Sequence, residues 1–403
     1  MFNISYIGNT NFNNLYYYIK LIKGEIMYKK IICIFLIPLL LFTGCWDSKD
    51  INKKCVNISL GIDYVDDNIQ FCGEIVKLTG SPREDTGESQ SSSVYTIFAQ
   101  GKTFEEARVN YNSNIPYPSF LGATRVVLFS EEFAKRGIES YLNRVDSLFD
   151  YRKTLNTVVC REPTKECFNI ETDKALAIGL FIENILRNLK DEGNSICLDV
   201  GDLLSDIAFG SVGYVLPYIG IESNDLKYLG LAVFKDSKLI DIIDVHDTEP
   251  LLYILADNTK LVELIPDPLD NQNKYSFRVH INKRKISTSL KDDIVNITIN
   301  LDLHAELRYQ YYKHNISDEM IKQLETELSN KISNEIIDFV KEAQKNFKCD
   351  IFNFGEEFKA QHYYQYQEID WEQAFLSANI NANVKTTIVN KNLKSDDNFK
   401  NSK

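Results

Sequence analysis

Ile294–Gln310, IVNITINLDLHAELRYQ, is followed a few residues later by Ser317–Lys345, SDEMIKQLETELSNKISNEIIDFVKEAQK, and the hydrophobic periods of these two stretches decide the fold class. In the first, Val295, Ile297, Ile299, Leu301 and Leu303 alternate with Asn296, Thr298, Asn300 and Asp302, as a strand in a sheet with one wet face requires. In the second, Ile321, Leu324, Leu328, Ile332, Ile336 and Val340 step by three or four, while Lys, Glu and Gln fill the opposite side. That spacing predicts an amphipathic helix of about eight turns, its stripe more often core than partner groove. The C-terminal half is therefore α+β, an antiparallel sheet packed against one long amphipathic helix.

Upstream, Tyr275–Leu290 is a second long strand run, turned into the first through Lys291-Asp292-Asp293. Tyr228–Phe234 and Leu239–Ile243 are strands around Lys235-Asp236-Ser237-Lys238, and Glu249–Asn258 is a short helix with Pro250 at its start. Glu222–Asp225 reads as a domain junction. Before it, β-rich and helical runs alternate, which predicts a mixed α/β domain. Val56–Val65 and Ile69–Leu78 form a hairpin around Asp66-Asp67-Asn68, and Gly80–Ser93 is a polar loop. Val94–Ala99 is a strand; Thr103, with Glu106 as a capping box, opens a helix whose apolar positions are Phe104, Ala107, Val109 and Tyr111. Arg125–Phe129 and Asn156–Cys160 are strands, Ser130 opens a helical stretch broken by Gly137 and ending near Phe149, and Asp173–Leu189 and Asp199–Ala208 are helices. The division that follows is 1–44 upstream segment and leader, 45–222 N-terminal domain, 223–390 C-terminal region with up to two subdomains, and 391–403 a frayed polar tail.

The leader is Met27–Cys45, MYKKIICIFLIPLLLFTGC. Lys29 and Lys30 precede an apolar run, Ile31–Phe42, that is short for a membrane span, and Thr43-Gly44 place small residues before a cysteine. This is the order of a lipoprotein signal peptide, with Met27 as the start. Cleavage would leave Cys45 as an N-palmitoyl, S-diacylglycerol terminus outside the cytoplasmic membrane. Phe42 stands where Leu is usual, which would slow cleavage. Two acyl chains give stable anchoring where one does not. With 57 acidic against 45 basic residues and a formal charge of −12, attraction of the whole chain to anionic lipid cannot supply the tether.

Among eight cysteines, Cys33 leaves with the leader and Cys45 is the lipid site. Cys55, Cys72, Cys160, Cys167, Cys197 and Cys349 remain, either scattered and reduced in the core or carrying one or two bridges. No C-x2-C pair occurs and His246, His280, His304, His314 and His362 lack ligand spacing, so no metal or cofactor is expected. No P-loop, nucleophile elbow, H-E-x-x-H or dinucleotide turn is present, which disfavours an enzyme. Asp350 near Glu356 and Glu357 resembles an acid pair but is read as solvated surface or caps. Trp371 and Phe375 are expected in the core. The charge sign argues against nucleic acid. A small-molecule-binding extracytoplasmic lipoprotein is the rival reading, and would show two similar βα lobes that this chain lacks.

Three groups of residues resemble the Ger(x)C lipoprotein family, the C subunits of nutrient germinant receptors of endospore-forming Firmicutes. They are Gly44-Cys45-Trp46-Asp47 with Ser59-Leu60-Gly61-Ile62-Asp63; Leu121-Gly122 with Arg125–Ser130; and Asp350–Glu356 with Trp371, Phe375 and Asn383-Val384. Asn353 stands where a glycine is common. The resemblance covers Cys45–Asn390. It implies three domains of unusual α/β topology, no catalytic activity, and assembly with membrane A and B subunits in the spore inner membrane. With the germinant pocket assigned to B, it implies a scaffold or signal-coupling partner and no small-molecule ligand.

Overall fold

The computed structural model describes residues 51–76, 94–148, 150–171, 174–210, 213–267, 273–312 and 316–390. The leader, Cys45, Trp46, the whole of the Gly80–Ser93 loop with Leu78 before it, and the tail lie outside the described residues, as do Phe149 and Asp173. A short turn covers Ile51–Lys53, and the chain from Lys54 onward forms one compact unit containing every strand and helix named below.

The first sheet begins with β1 (Cys55–Val65), β2 (Asn68–Val76) and β3 (Val94–Gly101), joined antiparallel with Leu60 opposite Gly73 and Cys72 opposite Phe98. Helix α1 (Phe104–Ser113) follows, capped by Thr103, whose hydroxyl accepts from Glu106 N–H; Glu106 returns its carboxylate to Lys102 N–H, one residue earlier than a capping box would place it. Only Ala107 and Tyr111 are buried on it. Val109 is 60 % exposed, contrary to its assignment to the apolar face, because a ten-residue helix lying on one sheet covers a narrow stripe. Next come β4 (Ser119–Phe120), β5 (Val126–Ser130), α2 (Glu131–Arg136), α3 (Glu139–Ser147), β6 (Asn156–Cys160), α4 (Thr164–Phe168), α5 (Ile178–Glu192) and α6 (Val200–Phe209). Ser130 caps α2 and Gly137, at φ 119°, ends it. Strands β7 (Tyr214–Glu222), β8 (Asp225–Lys235) and β9 (Lys238–Asp244) complete the order β3-β2-β1-β5-β6-β7-β8-β9, with β4 beside β1.

Strands β1, β5, β6 and β7 run parallel and the flanks are antiparallel meanders. Parallel central strands are buried on both faces, and Val127 and Phe129 point into a cluster with α2 and α3 while Val126 and Leu128 point into one with α5. Glu222–Asp225, read as a junction, is a hairpin turn. Ser223 and Asn224 take φ 52° and 62°, and the strands on either side pair from Glu222↔Asp225 to Tyr214↔Phe234. The same two-residue device, with both central residues at positive φ, joins β1 to β2 at Asp66-Asp67 and β8 to β9 at Asp236-Ser237. Asp, Asn and Ser meet this conformation where Gly would be usual.

After α7 (Glu249–Leu255), with Pro250 in its first turn, come β10 (Leu261–Pro266), β11 (Lys274–Lys291) and β12 (Ile294–Gln310), turned at Asp292-Asp293. Helix α8 (Asp318–Glu342), capped by Ser317, buries all six stripe residues. It runs into one π-turn, then α9 (Phe354–Gln361), α10 (Tyr363–Glu368), α11 (Trp371–Leu376) and β13 (Asn379–Asn390). The sheet order is β10-β11-β12-β13. It is antiparallel through β12 but takes β13 parallel, because the helices carry the chain back to the end where β12 began. Val215, Leu231 and Val233 of the first sheet share this second core with Leu328, Phe352 and Trp371, so one apolar cluster spans both sheets. Mixed α/β and α+β parts are thus fused.

Candidate functional site

Among the described residues that carry the sequence pattern, Gly61, Asp63, Asp350, Gly355 and Trp371 are buried and perform structural tasks. Gly61 lies against α4: a Cβ there would stand 2.5 Å from Thr164 Oγ1 and 2.7 Å from the Phe168 ring. Two residues on, the Asp63 carboxylate accepts from Thr164 N–H and Oγ1–H, both at 2.6 Å, so it serves as the missing cap of that helix. Cys167 of α4 is bridged to Cys160 at the end of β6, while Cys55, Cys72, Cys197 and Cys349 are buried thiols. The bridge uses both sulfurs that, with Glu162, would form a three-ligand metal group. Burial pushes the Cys72 thiol up to about 12, leaving it a poor nucleophile.

Glu74 repeats the device at larger scale. Only 2 % exposed in β2, it accepts from Ile178 N–H at 2.8 Å and Gly179 N–H at 2.7 Å, and from the Ser59 hydroxyl. Ala177 precedes α5 and has no capping side chain, so a strand carboxylate takes that role. Burial raises its pKa, opposed by the three donors.

Asp350–Glu356 folds into a knot. Asp350 is 2 % exposed; its Oδ1 accepts from Phe352 N–H at 2.9 Å and its Oδ2 from Gly355 N–H at 2.7 Å and Trp371 Nε1–H at 3.1 Å. Of the two readings for this carboxylate, it is a cap and not solvated surface. Burial lifts its pKa to about 6 against the pull of those donors. Asn353 sits at φ 60°, the left-handed region that explains both a common glycine there and a tolerated asparagine. Gly355 admits the Trp371 indole, whose Nε1 would lie 2.7 Å from an added Cβ. Phe352, Phe354 and Phe375 stack around the knot, and the carbonyl of Asp350 accepts from Gly213 N–H at 2.7 Å, fastening it to the first sheet.

Beside the knot lies a cleft of about 840 Å³, between α5 and α6 on one side and the α7 end and α9 start on the other. Asp191, Asp202, Asp206, Asp257 and Glu356 line it, with Lys190 as the basic member. Burial, then Glu356, then Asp202 push Asp206 up to about 7. Lys359 lies 4.5 Å over the Phe209 ring and 5.4 Å from that of Tyr366, pinning α6 to α9 and α10. A fourth buried carboxylate, Glu263, is 0 % exposed, accepts from Tyr253 O–H at 2.8 Å and pairs with Lys331 of α8. Burial and Glu263 raise Glu249 to about 7. The sequence reading missed Glu74, Glu263 and Asp206. A lone carboxylate inside an apolar strand run was the available signal for the first two. Trp371 and Phe375 are in the core, as expected, while Cys45 lies outside the described residues. Among the described residues no nucleophile, base and orienting group are brought together.

Two family descriptions match this chain: residues 47–221 match the spore germination protein N-terminal domain, and residues 229–392 match the C-terminal domain described as spore germination B3/GerAC like. Spore germination protein A3 of Bacillus subtilis is 22 % identical over 292 residues, covering 69 % of this chain and 73 % of that one. Spore germination protein KC of the same organism is 20 % identical over 376 residues, covering 85 % and 90 %. The crystal structure of the GerBC protein superposes with a TM-score of 0.54 at 17 % identity, covering 82 % of this chain and 97 % of that one, which shows the shared fold. The chain belongs to the GerAC family of spore germination proteins.

Proposed function

We propose that this GerAC-family chain is the lipid-anchored C subunit of a nutrient germinant receptor, a non-catalytic scaffold or signal-coupling partner of membrane A and B subunits in spore germination. The observation that carries the reading is the family match, which spans both halves of the chain. The residues of the resemblance support a scaffold: Gly61, Asp63, Asp350, Gly355 and Trp371 hold elements together, and none faces a cavity with a reactive partner. Attachment would come from diacylated Cys45 on the outer face of the cell membrane or spore inner membrane. No helix among the described residues is long and apolar enough to cross a membrane. The tether would raise the chain's effective concentration beside its partners.

Deleting the chain should abolish or strongly slow nutrient-induced germination while leaving spores able to germinate by a nutrient-independent route. Cys45→Ala should release the chain from membranes and lower its co-purification with a multi-spanning partner. Intact nutrient germination in the deletion strain sinks the receptor role, and normal membrane retention of Cys45→Ala sinks the tether.

A further inference from the structure

The second sheet covers α7 and α8 with its apolar face and turns the other outward. On the outward rows stand Lys283, Lys285 and Lys291 of β11 and Lys385 of β13, with His280 opposite His304, against Asp302 and Glu306 and, at the turn beside Lys291, Asp292 and Asp293; Arg278 lies opposite Glu306 and near Glu192 of α5. The cationic centre is compact. Lys283 and Lys385 flank Asp302 from the neighbouring strands, and Lys285 shares the next row with Asn300 and Asn383. Lys283, Lys285 and Lys385 are exposed, and among the described residues none of their ammonium groups makes an ion pair. A chain of formal charge −12 therefore carries, at the centre of this face, three lysines around one aspartate, a patch of opposite sign.

We propose that this face lies against an anionic phospholipid surface and sets the orientation of the tethered chain; the proposal rests on the membrane-anchored reading above. Charge complementarity selects the occupant. With 57 acidic against 45 basic residues the chain as a whole is repelled by an anionic surface, and contact through this patch brings its lysines within the screening length of about 8 Å at physiological salt. The face is carpeted by Asn296, Thr298, Asn381 and Asn383, and among the described residues its cationic centre has no aromatic anchor of the kind that concentrates binding at protein interfaces. Tyr309, Tyr311 and Tyr312 sit exposed at one end, and tyrosine suits a membrane–water boundary.

The test uses the chain from Trp46 to Lys403, which lacks leader and lipid but keeps the whole compact unit. In flotation assays it should bind vesicles of phosphatidylglycerol at least tenfold better than vesicles of phosphatidylcholine, with release at about 0.5 M salt. Lys283→Glu, Lys285→Glu and Lys385→Glu together should cut binding more than tenfold. Lys322→Glu, Lys341→Glu and Lys345→Glu, an equal charge change at exposed positions of α8 and the π-turn that follows it, should cut it far less. Equal losses in the two triple variants, equal binding to both lipids, or no binding to phosphatidylglycerol by a chain with native circular dichroism overturns the proposal. Salt-sensitive binding to polyglutamate without vesicle binding also overturns it, in favour of an acidic protein partner. Mass spectrometry of Cys45 in the native protein reports separately on the tether, so either idea can fail alone.

Discussion

Gly355→Ala tests whether the Asp350 knot holds the second core as described. The new methyl would stand 2.7 Å from Trp371 Nε1 and 3.0 Å from Cδ1 and Cε2, roughly 1 Å inside ordinary contact, and the indole, 3 % exposed, has no free space to retreat into. Either the ring shifts, stretching its 3.1 Å bond to Asp350, or α9 moves, stretching the 2.7 Å bond from Gly355. Overpacking of this kind costs about 1–3 kcal/mol. Trp371→Phe alone removes the clashing atoms and the indole donor and leaves a void, at about 2–4 kcal/mol. In the double variant the Ala methyl enters the space the indole vacates, so the two losses should fall short of their sum by about 1–2 kcal/mol. Urea unfolding followed by circular dichroism on all four chains measures that coupling. Additive losses within about 0.3 kcal/mol would show that Gly355 and Trp371 do not meet, and the account of this signature would be wrong.

Three further outcomes follow from the buried carboxylates and the bridge. Asp206 titrates near 7 in the folded chain against an ordinary 3.8, so the native state holds this proton more tightly than the unfolded chain does; stability from this group is present below about pH 4 and is lost as pH rises to about 7. Asp206→Asn should flatten that part of the profile and raise the urea midpoint at pH 8, and identical profiles for the two chains would refute the cleft assignment. Glu74→Ala orphans two backbone N–H groups of α5 and the Ser59 hydroxyl, and should destabilise by about 2–5 kcal/mol with faster amide exchange at Ile178 and Gly179; a change confined to β2 would refute the capping role. Thiol titration of the denatured chain from Trp46 should find the four cysteines Cys55, Cys72, Cys197 and Cys349 before reduction, joined by Cys160 and Cys167 after it; all six reacting without reductant would refute the bridge.

Local periodicity made the elements legible where it was strong. The alternation in Ile294–Gln310 and the stripe from Ile321 to Val340 reappear residue for residue, because burial against one neighbour fixes the period of each. Turns were legible from Asp, Asn and Ser pairs; Ser223-Asn224, read as a domain junction, forms a hairpin turn, and it lies between the two stretches matched by the family descriptions, 47–221 and 229–392. Strand order was not legible. That β5 inserts between β1 and β6 depends on non-local pairing such as Leu60↔Val127 and Val127↔Thr157, about which no local pattern carries information. Nor did any local pattern disclose that β13 would run parallel to β12. At the candidate site, Asp350, Gly355 and Trp371 could be picked out by resemblance, yet their joint task required the fold, because 21 residues separate the carboxylate from its indole donor.

The placement of carboxylates suggests how this chain divides its sequence between folding and function. Asp63, Glu74 and Asp350 each take over a capping or turn-closing role from across the structure, joining a strand or loop to an element distant in sequence. A cap supplied from the same helix stabilises that helix alone; one supplied from another strand makes two elements fold together, since leaving the donors unpaired costs about 1–3 kcal/mol each. Cooperativity is thereby written into a few buried residues, and substitutions there should impair any assembly through loss of the folded chain. Substitutions on the Lys283–Lys285–Lys385 face should do the opposite, leaving unfolding midpoints within about 0.5 kcal/mol of the parent while changing what the chain sits against. A scan that ranks variants by stability and by membrane partition on separate axes would therefore place these two groups on different axes. Finding both groups on the stability axis would mean that the outward face is structural as well.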